Sequence, residues 1–71
     1  MNCVHIHAPA GEYIGQVRRR GAQRWRTVAN SKTAKRAMVV AIGAMRDDDK
    51  RARVLFCTEW YDPNVVMELS R

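Results

Sequence analysis

Nine basic side chains and no acidic one lie between Glu12 and Asp47: Arg18, Arg19, Arg20, Arg24, Arg26, Lys32, Lys35, Arg36 and Arg46. All seven acids, Glu12, Asp47, Asp48, Asp49, Glu59, Asp62 and Glu68, sit at or beyond the edges of that window. Segregated positive charge raises the local concentration of a polyanion. Arginine dominates, at ten Arg to three Lys, and a guanidinium grips phosphate bidentately and stacks on bases where an ammonium acts as a hydrated point charge. Tyr13 and Trp25 are interleaved with the arginines, and a ring beside guanidinium groups suits base stacking as well as phosphate contact. The pattern implies a phosphate-rich partner held by Arg18, Arg19, Arg20, Arg24, Arg26, Lys32, Lys35 and Arg36, with Tyr13 and Trp25 beside them. Two purely structural readings stand next to it. A charged hairpin tip blocks edge-to-edge aggregation, and Trp25 suits a core.

Other residue types with chemical potential lead to less. Cys3, His5 and His7 share a strand face, with Cys57 as a conceivable fourth zinc ligand. Alternate residues on a strand are about 7 Å apart, however, too far to converge on one ion. A solvated strand face is the better reading, and no metal is expected. The run Asp47-Asp48-Asp49 aims its carboxylates in different directions and is completed by no further acid or lysine cluster, so it reads as a turn, not a magnesium site. Ser31, Ser70 and the cysteines lack a general base at motif spacing, and no phosphate-cradling glycine loop is present. No catalysis and no cofactor are expected.

The elements that must carry these residues follow from periodicity. Residues 3–7 alternate as a strand, with Val4 and Ile6 opposite Cys3, His5 and His7, and Ala8-Pro9-Ala10-Gly11 reads as a turn. Residues 13–20 and 24–29 read as a hairpin around Gly21. In the first strand Ile14, Gln16, Arg18 and Arg20 share one face, and Tyr13, Gly15, Val17 and Arg19 the other. Asn30 or Ser31 is placed to cap a helix over residues 32–46, whose core stripe is Ala34, Met38, Ala41 and Met45, flanked by Ala37 and Ile42. Val39, Val40 and Gly43 put apolar surface on its outward side, which suggests a homodimer interface. Residues 53–61 read as a central strand buried on both faces. Residues 65–69 read as a closing strand on the β-branched pair Val65-Val66, with a short helix opened by Asp62-Pro63 as the alternative.

The predicted class is therefore α+β: a small antiparallel sheet of four to five strands packed on one helix, in the order β-β-β-α-β, with a possible fifth strand. Residues 1–71 make one domain. With 46% hydrophobic residues and periodic apolar segments the chain should fold. Its longest apolar run, AMVVAIGAM over residues 37–45, is less than half of what a bilayer span needs. The first residues lack the features of a secretory signal, which implies a cytoplasmic protein with reduced cysteines.

The segment YIGQVRRRGAQRWRTVANSKTAKRAMVVAIGAM, residues 13–45, resembles the N-terminal arm-type DNA-binding module of phage tyrosine recombinases. It shares an aromatic-to-Val-Arg-Arg strand, a glycine turn, a second strand reaching Thr, and a Lys-containing helix start leading into spaced alanines. The resemblance covers about half the chain and implies a three-stranded sheet on one helix, with Arg18, Arg20, Arg24 and Arg26 on a DNA-facing sheet beside Tyr13 or Trp25. Two departures are plain: the family's catalytic domain is absent, and an apolar segment follows the helix in place of a linker. Two functions are thus expected. One is a small basic nucleic-acid-binding protein, with DNA ahead of RNA; the other is a stand-alone phage-type interaction module or inhibitor, like an anti-CRISPR, that docks on an acidic protein surface or a host nucleoprotein complex. No membrane partner is expected.

Overall fold

The computed structural model describes residues 2–3, 8–9, 11–58 and 64–71, the first two pairs by backbone alone. Two short strands, β1 (Asn2–Cys3) and β2 (Ala8–Pro9), form an antiparallel ribbon of their own. Ala8 and Pro9 are therefore strand where a turn was expected, and most of the strand expected over residues 3–7, with His5 and His7, lies outside the described residues. The main sheet begins at β3 (Tyr13–Arg19), a seven-residue strand buried on both faces over residues 14–17. It pairs antiparallel with β4 (Arg26–Ser31) on one side and with β5 (Asp49–Phe56) on the other. The strand β6 (Asn64–Ser70) adds beyond β5, giving the order β4-β3-β5-β6. The closing segment is strand and not helix, as its Val65-Val66 pair favours. The fold is α+β, and its main body runs β-β-α-β-β along the chain.

One helix, α1 (Ala34–Ala44), covers one face of this sheet. It starts two residues later than the sequence suggests because Asn30 and Ser31 remain in β4, opposite Ile14 and Tyr13. The cap falls instead to Thr33, whose extended backbone (φ −129°, ψ 146°) lets its hydroxyl accept the Arg36 backbone N–H at 3.2 Å. Ala37, Met38 and Ala41 point at the sheet and join Val17, Ala52 and Val54 in the core, with Tyr13, Val28, Ala34, Met45 and Leu69 packed around them. The contact is close because β3 carries a glycine there. A Cβ on Gly15 would lie 2.7 Å from the Ala37 carbonyl oxygen and 2.8 Å from the Ala29 Cβ.

On the opposite face Ile14 and Leu55, neighbours across β3 and β5, are also buried, so this part of the sheet is covered on both sides. Beyond it Cys57 and Glu12 extend the β3-β5 pairing: Gly11 N–H donates to the Cys57 carbonyl and Cys57 N–H to that of Glu12. Cys57 is fully buried and disulfide-bonded. This corrects the expectation of reduced thiols, which rested on the compartment inferred from the first residues and not on any geometry. Among the described residues no helix is long and apolar enough to cross a membrane.

Candidate nucleic-acid interface

Antiparallel connectivity decides where the basic residues go. β3 ends where β4, β5 and the loop after α1 begin or end, so one end of the sheet collects charge from every element. Arg18, Arg19 and Arg20 come from the end of β3, Arg24 and Arg26 from the hairpin loop and the start of β4, Arg46 from the segment after α1, Lys50 and Arg51 from β5, and Arg71 from just past β6. Six of the nine basic residues in the sequence window meet here, joined by three that the window did not include. Lys32, Lys35 and Arg36 do not. They sit at the helix start, and eleven helical residues at 1.5 Å rise put that end about 16 Å away.

A single carboxylate organises the helix side of this end. Asp49 is completely buried at the start of β5, although it closes a run of three acids that looks like a solvated turn. Its Oδ2 accepts the Arg46 backbone N–H at 2.8 Å and the Arg26 guanidinium at 2.8 Å. The hydrogen bond from Arg46, then that from Arg26, holds its carboxyl below the usual carboxylate range, against burial, which acts to raise it. Arg71 ties the same loop from the other side, donating to the carbonyl oxygens of Arg46 at 2.9 Å and Asp49 at 2.8 Å. Between hairpin and loop lies a concave pocket of about 270 Å³. Arg19, Arg24, Arg26 and Arg46 line it with Asp48, on a floor of Val17 and Ala22. A bulge between Arg18 and Arg19 breaks the strand alternation here, and a second cleft, lined by Arg20, Lys50, Arg51, Ser70 and Arg71, lies at the same end.

On the face away from the helix the aromatic equipment is assembled around Trp25. The Arg53 guanidinium carbon lies 4.0 Å from the Trp25 ring centroid and that of Arg18 4.9 Å, within cation–π range. Trp25 is half-buried, not a core residue. Beneath it a polar relay crosses three strands: Arg53 Nε donates to Gln16 Oε1 at 2.8 Å, and Gln16 Nε2 donates to Thr27 Oγ1 at 3.1 Å. Burial lowers the Arg53 pKa from its ordinary value; Glu68 opposes that effect and Arg18 adds to it. Arg51 donates to Glu68 Oε1 at 2.9 Å.

The structure thus divides the residues that the sequence groups together. Arg18 and Trp25 share the face away from the helix, while Arg19, Arg24 and Arg26 line the pocket on the helix side. Tyr13 stands apart from both. It faces the helix, packs on the core, and sets its ring 5.0 Å from that of Phe56. Val39 and Val40 are exposed on α1, and nothing crowds Gly43. Among the described residues no group of three His, Cys, Asp or Glu side chains is placed to hold a metal ion. Sequence reasoning missed Arg46, Lys50, Arg51, Arg53 and Arg71 as partners of the hairpin. The only signal for them was the switch of period on either side of residues 46–49, which makes α1 and β5 return to the hairpin. No family model matches the chain, and no match was found among curated proteins or solved structures.

Proposed function

We propose that this chain is a non-catalytic nucleic-acid-binding protein that grips phosphates with the basic end of its sheet. The observation that carries the reading is the gathering of nine cationic residues from the strands of the main sheet and the segments that flank them at one end of a small fold, against Asp47, Asp48 and Asp49. Three of the nine are partly neutralised, because Arg26 pairs with Asp49 at 2.8 Å, Arg51 with Glu68 at 2.9 Å, and Arg19 lies 3.9 Å from Asp48. Arg20, Arg24 and Lys50 are exposed and have no ion pair among the described residues, which leaves them free for phosphate. The stack of Trp25 on Arg18 and Arg53 adds an aromatic platform on the face away from the helix. DNA is the proposed form of the partner, supported by the likeness of residues 13–45 to phage recombinase arm modules. A cytoplasmic setting goes with this reading, and the Cys57 disulfide speaks against it, since such bonds persist mainly in oxidising compartments. The test is binding to unrelated duplex and single-stranded DNA across a salt series: a phosphate binder loses affinity steeply, as counterions compete for the same sites.

One observation favours a second reading, a phage-type interaction module or inhibitor. Val39, Val40 and Ile42 on α1 and Val65, Val66 and Met67 on the edge strand β6 are all exposed. Exposed apolar side chains of this kind fit a protein partner or a second copy of this chain. Salt-insensitive binding of a protein partner that is lost when these apolar residues are replaced, with no DNA binding, would favour it.

A further inference from the structure

The pocket on the helix side of the sheet end differs from a surface that tracks a continuous backbone. An internal phosphodiester carries one negative charge and passes over protein; a terminal phosphate carries close to two and projects as a head. Four arginines, Arg19, Arg24, Arg26 and Arg46, line one concavity of about 270 Å³. That is below the roughly 300–1,000 Å³ usual for whole small-molecule ligands. Asp48 in the lining and the buried Asp49 paired with Arg26 offset two of the four charges, leaving an excess of about two positive charges, the complement of a dianion. Arg26 is held in place by its 2.8 Å contact with Asp49, so one donor is oriented before any ligand arrives. Arg24 and Arg46 are exposed, and no hydrogen bond or ion pair of their guanidiniums is seen among the described residues.

We propose that this pocket binds a phosphomonoester, the phosphorylated end of a nucleic-acid strand, with Arg24 and Arg46 closing on its oxygens, Arg26 as a fixed neighbour and Arg19 beside them. The inference rests on the nucleic-acid reading above and adds to it a preference for ends. Phosphate at a 5′ end and at a 3′ end present the same chemistry, and the experiment separates them. Fluorescence anisotropy is measured with one single-stranded oligonucleotide in three forms: 5′-phosphate, 3′-phosphate and hydroxyl at both ends. At least one phosphorylated form should bind about tenfold or more tighter than the hydroxyl form, the worth of a single charge-assisted hydrogen bond. The form that does so names the end. In Arg24→Ala and Arg46→Ala variants, whose fold is checked by circular dichroism, the ratio of phosphorylated to hydroxyl affinity should fall to about one. Three equal affinities in the parent would overturn the end preference and leave the nucleic-acid reading standing. An unchanged ratio in both variants would overturn the assignment to this pocket. Absence of binding to all three would overturn this inference, and absence of binding to the corresponding duplex as well would remove the nucleic-acid reading with it.

Discussion

Replacing Gly15 by alanine tests the packing on which the whole arrangement depends. The added Cβ would meet the Ala37 carbonyl oxygen at 2.7 Å, the Ala29 Cβ at 2.8 Å and the Ala41 Cβ at 3.1 Å, where ordinary contact begins at 3.4 Å. The nearest of these is backbone in α1, and the next is the Cβ of a small residue fixed in β4, so no side chain can rotate away. Relief requires the helix to lift by about 0.7 Å, a gap that forfeits a quarter or more of each dispersion contact along the seam. Overpacking of this kind costs about 1–3 kcal/mol, and the smaller entropy of the unfolded alanine chain returns about 0.4–1 kcal/mol. The net loss should be about 1–2 kcal/mol, against a total stability of about 4–10 kcal/mol for a chain of this length. That corresponds to a fall in Tm of roughly 5–15 °C. Gly43→Ala is the matched control: nothing lies within 4 Å of its Cβ position, so the better helix former should stabilise by up to about 1 kcal/mol. Denaturant unfolding of both variants followed by circular dichroism reads the pair. A Gly15→Ala protein within about 0.5 kcal/mol of the parent would refute the close seating of helix on sheet.

Asp49 sets the acid limb of stability: because its folded pKa lies below the ordinary carboxylate value of about 3.9, its contribution is complete above that value and is lost as pH falls through the folded pKa. Asp49→Asn should lower stability at neutral pH and flatten the acid limb of a Tm-against-pH curve; an unchanged curve would contradict its role. Trp25→Ala should leave the protein folded with a loss of about 1–2 kcal/mol from two cation–π contacts and their packing, and should weaken single-stranded DNA more than duplex. An unfolded variant would instead make Trp25 a core residue. Self-association through the outward face of α1 should show as a dimer in light scattering at high micromolar concentration, and a Val39→Ser, Val40→Ser double variant should be monomeric. Monomer alone in the parent would exclude that interface.

Much of the fold is legible in the sequence because its elements keep their periods. Tyr13 to Val17 carries the aromatic and β-branched residues of a strand, residues 37–41 supply a helical stripe, and Val65-Val66 favours strand over helix. What failed to show lies where local cues are degenerate. Asn30, Ser31 and Thr33 are all good helix caps, and only the pairing of β4 with β3 decides among them. The run of three aspartates looks uniform, yet its last member is taken into the core by Arg26 and the Arg46 N–H, contacts that span 23 and 3 residues respectively. The site is legible as a composition and not as a place. Charge segregation points to phosphate, but grouping the helix start with the hairpin ignores that α1 carries its two ends to opposite ends of the sheet. Recruiting Lys50, Arg51 and Arg71 requires knowing that β5 and β6 run back beside β3.

The central claim is that the sheet end, and not the helix start, meets phosphate. Its most direct test is the salt dependence of duplex DNA binding for two triple variants, Arg20→Ala with Arg24→Ala and Lys50→Ala, and Lys32→Ala with Lys35→Ala and Arg36→Ala. All six side chains are exposed, so both proteins should remain folded. The account predicts that the first variant loses affinity and that its slope of log affinity against log salt is shallower by roughly three units, about one for each phosphate contact removed, while the second keeps the parent's slope. A first variant that binds DNA with the parent's affinity and slope would contradict it.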